Sequence, residues 1–491
     1  NYVPGMTAAI DAVRRSGRVA EAAICYTGDI LDARRERYNL KYYVGLAKEL
    51  ERRGANILGI KDMAGLCKPY ATQLLVKKLK EEIGIPIHFH THDTSGIQAA
   101  SILKASEAGV DAVDLAMASM SGCTSQVNLN SIVAVLEGQS RDPGLDVHAL
   151  NEVSDYFEEV RKWYYPFESE LRAGTAEVYE HEMPGGQYSN LKQQAASLGL
   201  AHCWPEVKTA YVEANLLLGD IVKVTPSSKI VGDLALFMVS NHLTPEKILQ
   251  GGAAQSFPES VVGFFKGQIG KPPFGFPKRL REIVLGGRKS PKAAAKNVSL
   301  GGVMKELEQK IHREPTHRDV LSYLMYPQVF LEYEKEYRQH SEVQSVPTKN
   351  FFFGMEVDEE IAVEIEKGKT IILKLLSVGE PGPDGMRKLV FEVNGVPREI
   401  DIEDRNFTKK VVSRRKADPG DLHQLAAAMQ GVVAEVRVKP GQSVEQGEPL
   451  LVLEAMKMQV NVTAPIARVV KEVFVEKGEK VEGGDLLLIF E

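Results

Sequence analysis

An internal repeat near the carboxyl end is the feature that most constrains what this chain can fold into. The segment VKPGQSVEQGEPLL (438–451) matches VEKGEKVEGGDLLL (475–488) at a constant offset of 37 residues. Glycines recur at equivalent positions in the two copies, for example at Gly441 and Gly478. Strand-sized apolar runs separated by glycine turns predict two similar β halves that pack face to face as a small flattened barrel.

A lysine flanked by two methionines lies between the two copies. It is Lys457, between Met456 and Met458, in the segment LEAMKMQV (453–460). A lysine at a hairpin tip is well placed for a ligase to acylate it, whereas an arbitrary surface lysine is simply solvated. The segment resembles the biotin carboxyl carrier domain of biotin-dependent carboxylases, whose Ala-Met-Lys-Met motif begins here at Ala455. The resemblance implies that biotin is attached covalently to Lys457, with Met456 and Met458 beside it.

The first 150 residues alternate short β runs with amphipathic helical stretches. Strand candidates lie at 22–28, 55–62, 85–93 and 112–120. Their spacing requires parallel crossovers, which predicts either a doubly wound sheet or a (β/α)8 barrel. Polar residues at the carboxyl ends of successive strands favour the barrel. Because a complete barrel has eight strands, we expect a partial one.

The third strand candidate carries two histidines, His90 and His92. Residues at i and i+2 of a strand face the same side, so the two imidazoles can share one metal ion, although two unrelated strand-end histidines would give the same pattern. Lys61 ends the preceding strand candidate. A cationic lysine is a poor metal ligand, but N-carboxylation would turn it into an anionic oxygen ligand. A Schiff-base lysine and an ion pair with Asp62 remain alternatives for Lys61.

Six segments between residues 25 and 233 resemble the carboxyltransferase domain of the pyruvate carboxylase family, and with the carrier segment the resemblance extends over essentially the whole chain. They are CYTGDILD (25–32), GIKDMAGL (59–66), HFHTHDTSG (88–96), SGCTSQVNLNS (121–131), YEHEMPGGQYSNL (179–191) and GDIVKVTPSSKIVGD (219–233). The resemblance implies that Lys61 is an N-carboxylated metal ligand, that His90 and His92 are further ligands, and that the ion is manganese or zinc.

The same resemblance implies a catalytic threonine and a residue of the biotin pocket. Thr124 would carry a proton between biotin and substrate, and Tyr2 would lie near the biotin pocket. On the residue alone, Thr124 would instead be a loop threonine that bonds its own backbone. The family's aspartate ligand, its neighbouring glutamine and its substrate-binding arginine have no counterpart here, since the match begins at Asn1. We therefore expect a piece of a longer protein, without the first barrel strands and the biotin carboxylase domain.

The predicted fold is multidomain α/β: a partial (β/α)8 TIM-type barrel with a helical extension, a small β/α tetramerisation domain and a flattened β-barrel biotinyl domain. The predicted boundaries are 1–150 for the incomplete barrel, 151–340 for the helical extension, 341–415 for the tetramerisation or allosteric domain, 416–428 for a linker and 429–491 for the biotin carboxyl carrier domain. Within the third region, alternating residues and the pair Asn394-Gly395 indicate a small antiparallel barrel or sheet.

The function that the resemblance implies is carboxyl transfer from carboxybiotin to pyruvate, which gives oxaloacetate. Implied partners are a biotin carboxylase domain or subunit, a biotin protein ligase and further copies of the chain in a homotetramer. The alternatives are a biotin-dependent oxaloacetate decarboxylase α subunit, a transcarboxylase subunit and, in a different class, a non-catalytic carrier and assembly module. The folded region 350–410 favours the carboxylase, because the decarboxylases tend to have a flexible Ala/Pro-rich linker there.

Composition argues against two classes of partner. Lys and Arg number 60 against 66 Asp and Glu, and the net charge of −6 provides no cationic face for nucleic acid. No run approaches the roughly 18 apolar residues of a membrane-spanning helix. The four scattered cysteines are too few for a disulfide framework and fit a reducing compartment. We therefore expect a cytoplasmic protein, or one of the mitochondrial matrix in a eukaryote.

Overall fold

The computed structural model of the protein contains two compact units. One comprises residues 1–293 together with 414–491, and the other comprises residues 294–413. The structure describes residues 3–168, 171–251, 257–286, 299–340, 343–382, 385–404, 414–418, 420–421, 423–455 and 458–491.

The first unit begins with four parallel strands that alternate with helices. In chain order these elements are α1 (Val3–Arg15), β1 (Glu21–Cys25), α2 (Leu40–Arg52), β2 (Ile57–Asp62), α3 (Pro69–Glu82), β3 (Ile87–Thr91), α4 (Gln98–Glu107) and β4 (Ala112–Val113). The strand order in the sheet is β1-β2-β3-β4, and each neighbouring pair is parallel. A doubly wound sheet reverses its order at a switch point, whereas a barrel adds each strand at the same edge. The predicted partial barrel is therefore confirmed.

Alternation along the strands separates a helix-covered face from the barrel interior. In β3, Ile87, Phe89 and Thr91 are fully buried, whereas His88 and His90 point to the opposite, partly exposed face. The buried apolar residues pack with α2, α3 and α4 into one core. Because strand side chains alternate, the polar residues of the motifs are left on the interior face.

The fourth strand is shorter than predicted. The expected strand over 112–120 is confirmed only for Ala112 and Val113, and residues 118–120 form a turn of 3₁₀ helix. After Asp114 the backbone leaves β3, and the Ala116 N–H donates to the carbonyl of Val127 at 2.9 Å. An apolar run does not show where a strand changes its partner, so this turn was not predictable from residue type.

The rest of the first unit up to residue 286 is helical where the structure describes it. Its helices are α5 (Leu129–Leu136), α6 (Val147–Tyr164), α7 (Val178–His181), α8 (Gly185–Ser197), α9 (Trp204–Leu217), α10 (Ser227–Ser240), α11 (Pro245–Gln250), α12 (Glu259–Lys266) and α13 (Lys278–Leu285). Helix α10 is buried on most of its surface and forms the centre of a second apolar core with α8, α9 and α12. None of the helices in the described ranges is both long and apolar enough to cross a bilayer.

The second unit joins helices to an antiparallel sheet. Its elements are α14 (Leu300–Ile311), α15 (His317–Met325), α16 (Pro327–His340), α17 (Thr348–Phe353), β5 (Glu360–Glu366), β6 (Lys369–Val378), β7 (Met386–Val393) and β8 (Val396–Glu403). The strands pair antiparallel in chain order. Asn394 and Gly395 close the β7–β8 hairpin with φ values of 48° and 80°, the two positive values that a type I′ turn requires. The predicted sheet and turn are confirmed.

The carboxyl-terminal part of the first unit contains two four-stranded sheets. Its strands are β9 (Gln424–Ala426), β10 (Gly431–Val436), β11 (Ser443–Val444), β12 (Pro449–Ala455), β13 (Met458–Thr463), β14 (Arg468–Val473), β15 (Lys480–Val481) and β16 (Leu486–Phe490). The sheet orders are β13-β12-β10-β15 and β11-β14-β16-β9. Strand β9 therefore falls within the stretch predicted as a linker.

The 37-residue repeat is visible in the backbone of these sheets. The N–H of Gly441 donates to Val470 O at 2.7 Å, and the N–H of Gly478 donates to Val433 O at 2.8 Å, so both partners differ by the same offset. The short strands β11 and β15 are exchanged, because each pairs within the sheet of the other half. The predicted pair of β halves is confirmed, and this exchange interlocks them.

Candidate functional site

Two imidazoles face each other at the carboxyl end of β3. The Nε2 atoms of His90 and His92 are 3.3 Å apart. His90 Nδ1 donates to Asp114 Oδ2 at 2.8 Å, and His92 Nδ1 donates to the backbone carbonyl of Thr124 at 2.7 Å. Because a carboxylate and a carbonyl only accept hydrogen bonds, both Nδ1 atoms carry the ring proton. In the neutral form of the two rings, each Nε2 atom therefore presents a lone pair to the other.

This arrangement fits a metal ion. Zinc–nitrogen bonds are about 2.0–2.1 Å long, so two histidine ligands of one ion lie at most about 4.2 Å apart, and the observed 3.3 Å falls within that limit. Burial above all, with His90 and Lys61 nearby, lowers the pKa of His92. His92 is therefore held in the neutral form that binds metals.

Lys61 lies at the same edge of the sheet. It is the penultimate residue of β2 and lies directly opposite His90 in the parallel pairing. The next residue, Asp62, points to the opposite, buried face, where it accepts the Leu66 N–H at 2.8 Å and the Thr91 hydroxyl at 2.9 Å. Burial raises the pKa of Asp62 to about 6. Asp62 therefore anchors the loop after β2 on the side of the strand away from Lys61.

A third ligand from the described part of the chain would have to be an unusual one. Among the residues that the structure describes, no three His, Cys, Asp or Glu side chains are grouped so that they could hold a metal. Lys61 lies opposite His90 at this strand edge, and as an ammonium it would repel a cation. N-carboxylation of Lys61 would replace that positive charge with carboxylate oxygens.

A cavity of about 690 Å³ opens beside Lys61 and His92. Its walls come from β2, β3, α8, the segment before α10 and the first turn of α10, and they include Gln187, Thr225 and Lys229. Lys229 is anchored at 2.5 Å by the buried carboxylate of Asp233, its i+4 neighbour on α10. Two lysines, amide groups and a hydroxyl suit a small anionic substrate that needs several hydrogen bonds.

The two threonines near the site occupy different places. Thr124 touches His92 through its carbonyl, and its Oγ1 lies 3.4 Å from Ser189 Oγ. Thr225 is exposed and lines the cavity, whereas Thr124 is not among the lining residues. Sequence reasoning chose Thr124 and passed over Thr225. The sequence feature that could have pointed to Thr225 is the hydroxyl-rich stretch TPSSK in the segment GDIVKVTPSSKIVGD (219–233).

Two glycines allow neighbouring loops to pack against His92. Gly65 has φ 69°, and a methyl group there would overlap the backbone carbonyl oxygen of His92. A methyl group on Gly185 would lie 3.3 Å from His92 Nδ1 and 3.1 Å from Thr124 O, which is tighter than usual van der Waals contact. One loop therefore packs against the backbone carbonyl of His92, and the other packs against its imidazole.

A buried ion cluster holds the loops that carry these residues. Lys223 is 2% exposed, and its Nζ lies 3.0 Å from Glu182 Oε2. The other carboxylate oxygen of Glu182 pairs with Arg35. Burial lowers the pKa of Lys223 to about 8. The cluster ties the loop before α8 to the segment that leads to Thr225.

The predicted biotin residues lie at the edge of what the structure describes. Strands β12 and β13 pair antiparallel, and the last pair is Ala455 with Met458. Met456, Lys457 and Tyr2 lie outside the described residues, as does the side chain of Met458. The prediction for these four side chains therefore stays a prediction.

Comparison with known families divides the chain into three matched segments. Residues 7–157 match the HMGL-like family, residues 178–374 match a conserved carboxylase domain, and residues 423–490 match a domain of biotin-requiring enzymes. The last match covers the repeat and the Ala-Met-Lys-Met motif. It supports covalent biotin as the cofactor of this segment.

The chain is also similar to individual proteins of known identity. Pyruvate carboxylase of Bacillus subtilis is 49% identical over 471 residues, which is 95% of this chain but 41% of the relative. The carboxyl transferase domain of Rhizobium etli pyruvate carboxylase, solved with pyruvate and biocytin, has a TM-score of 0.78 and 49% identity. That match covers 82% of this chain and 69% of the solved domain.

A complete multifunctional pyruvate carboxylase from Rhizobium etli gives a TM-score of 0.77 at 46% identity. It is matched by 100% of this chain, which covers 45% of the solved structure. The chain thus spans less than half the length of the full-length relatives it matches, while covering more than two thirds of the solved carboxyl transferase domain. On this similarity and the barrel described above, the chain belongs to the pyruvate carboxylase family.

Proposed function

We propose that this chain transfers a carboxyl group from carboxybiotin to pyruvate and so forms oxaloacetate. The observation that carries the proposal is the cavity beside Lys61 and His92, which gathers lysines, amides and a threonine hydroxyl at the carboxyl ends of the barrel strands. The biotin-requiring segment of the same chain supports it. Membership of the pyruvate carboxylase family supports the choice of substrate.

The cavity residues have complementary tasks in this proposal. Lys229, held in place by Asp233, provides a fixed positive charge for a substrate carboxylate or for the developing enolate. The side-chain amide of Gln187 donates and accepts hydrogen bonds and orients the substrate. Charges that are fixed before the reaction need no reorganisation as the enolate forms, so they lower its energy relative to pyruvate.

A divalent metal ion, manganese or zinc, is part of the proposal. Its ligands would be His90, His92 and the N-carboxylated Lys61, and the facing Nε2 atoms support this assignment. When bound, such an ion supplies positive charge that polarises a substrate oxygen. Holding the ion is the task of β2 and β3, whose carboxyl ends bring the three side chains to one edge.

The proton carrier is a threonine hydroxyl, which donates and accepts without bearing a net charge. Thr225 is the proposed carrier because it lines the cavity, and Thr124, chosen from the sequence, is the competing assignment. Thr124 faces Ser189 and supports His92 with its carbonyl. Replacing each threonine in turn can therefore show which hydroxyl carries the proton.

The remaining partners are proposed from the family. Biotin would be attached to Lys457 by a biotin protein ligase, and the tether would keep it at high effective concentration near the cavity. The carboxyl group would come from a biotin carboxylase domain or subunit. A homotetramer in the cytoplasm, or in the mitochondrial matrix of a eukaryote, completes the proposal.

The test uses the natural full-length protein captured on avidin. Oxaloacetate formation is followed with pyruvate and bicarbonate, with and without MgATP. ATP-dependent oxaloacetate synthesis is expected. Consumption of oxaloacetate without such synthesis would make the protein a decarboxylase, and failure of capture would remove Lys457 as the biotin site.

Three alanine variants then locate the proton carrier. Thr225→Ala is expected to lower oxaloacetate synthesis by about 100-fold or more, the usual effect of losing a proton-transfer group. Thr124→Ala should retain most activity, because a backbone carbonyl contacts His92. Thr209→Ala, on helix α9, is the matched control. Large loss in Thr124→Ala with little loss in Thr225→Ala would move the assignment to Thr124.

A further inference from the structure

Asp114, the residue after β4, bridges two imidazoles of β3. Its Oδ2 accepts from His90 Nδ1 and its Oδ1 contacts His88 Nε2, both at 2.8 Å. The other ring nitrogen of His88 lies 3.1 Å from Glu21 Oε1. The backbone N–H of Asp114 donates to Phe89 O at 3.1 Å, so the residue is aligned with β3 although β4 has already ended.

The carboxylate decides which nitrogen of His90 carries the proton. Asp114 accepts only, so the proton stays on Nδ1 and Nε2 keeps its lone pair. Without this acceptor, the other tautomer becomes favourable, because His90 Nε2–H would then donate to His92 Nε2 at 3.3 Å. Such a contact would occupy both nitrogens that face each other, and neither would be free to bind a cation.

His88 fixes the orientation of the carboxylate itself. The two carboxylate oxygens are engaged by different imidazoles, so rotation of the Asp114 side chain would break two hydrogen bonds rather than one. Histidine ligands of metals usually donate their second nitrogen to such an acceptor, which sets ring orientation and raises ligand basicity. The geometry around Asp114 has this form.

We propose that Asp114 is a positioning residue that holds His90 in the tautomer whose Nε2 can bind a divalent cation together with His92. This inference rests on the proposed metal site and adds to it a residue outside the ligand set. Asp114 acts through His90, whose Nδ1 it accepts from.

The experiment measures zinc affinity of the full-length protein after removal of metal with a chelator. Zinc is titrated in competition with a chromophoric chelator, and thermal unfolding is recorded for each protein. Asp114→Ala, which removes the acceptor altogether, is expected to bind zinc about 10–100-fold more weakly, the usual effect of losing such a partner. Asp114→Glu, which keeps an acceptor carboxylate, should recover part of that affinity.

Asp111→Ala is the matched control. Asp111 directly precedes β4 and lies beside Ile87 at the start of β3, where it accepts the Ile87 N–H at 2.7 Å and pairs with Lys80 at 2.9 Å; neither of these contacts involves His88 or His90. Its removal should lower the unfolding temperature and leave zinc affinity within about twofold. Comparing the two variants shows whether zinc affinity falls because the strand is disturbed or because His90 has lost its acceptor.

The outcomes distinguish failure of this inference from failure of the metal site. If the unaltered protein binds zinc, loses it in His90→Ala and keeps it in Asp114→Ala, the role of Asp114 is refuted while the site stands. Equal loss in Asp114→Ala and Asp111→Ala would also refute it, since both would then act through stability. No zinc binding by the unaltered protein would overturn the site and the inference together.

Discussion

Replacement of Gly65 by alanine tests whether backbone packing holds His92 in place. Gly65 has φ 69°, and an added methyl group would overlap the His92 carbonyl oxygen. Gly109 is the matched control, because its φ is 90° and an added methyl group meets nothing within 4 Å. Both variants carry the backbone cost of a left-handed alanine, and only Gly65→Ala adds the overlap with the site.

The expected magnitudes follow from these two terms. A left-handed conformation costs an L residue about 1–2 kcal/mol, and overpacking in a tight site adds about 1–3 kcal/mol. Since 1 kcal/mol shifts the unfolding midpoint of a domain of this size by about 2–4 °C, Gly109→Ala should lower the barrel transition by about 5 °C and Gly65→Ala by about 10 °C.

The assay combines scanning calorimetry with zinc titration of the full-length protein. Gly65→Ala should weaken zinc binding, because the His92 backbone must move to accommodate the methyl group, whereas Gly109→Ala should not. The reasoning is refuted if the two variants lower the midpoint equally and bind zinc alike. In that case the overlap at Gly65 is relieved elsewhere, and His92 is not confined by this loop.

Two further predictions concern buried charges near the cavity. Burial lowers the pKa of His181 to about 4 from an ordinary 6.5, so below pH 6.5 the unfolded chain binds a proton that the folded chain does not. The free energy of unfolding should therefore fall by about 2 kcal/mol between pH 7 and pH 5 on account of this group. His181→Gln should abolish that loss in urea titrations at the two pH values. An unchanged pH dependence in this variant would contradict the assignment. Glu182→Gln leaves the buried Lys223 without its carboxylate and should cost about 3–5 kcal/mol. The double variant with Lys223→Met should recover part of this, and strictly additive effects would show that the pair is not coupled.

The sequence predicted those features that depend on local pattern. The 37-residue repeat, the four β runs and the Asn394-Gly395 turn all follow from strand periodicity and from positions that need positive φ, and each appears in the structure. Strand alternation likewise placed His90 and His92 on one face. These features are encoded within a few residues, so residue order alone determines them.

Tertiary structure decided how distant groups meet at the site. Asp114 reaches His90 from the next strand end, the Thr124 carbonyl fixes His92, and Thr225 enters the cavity wall from the segment before α10. None of these contacts has a local signature, because an aspartate, a carbonyl or a threonine is common in any loop. Residue order therefore determined which residues lie at the strand ends, whereas the packing of α8 and α10 against the barrel edge determined which hydroxyl faces the cavity. Asp114 and the Thr124 carbonyl determined which nitrogen of each histidine faces the other.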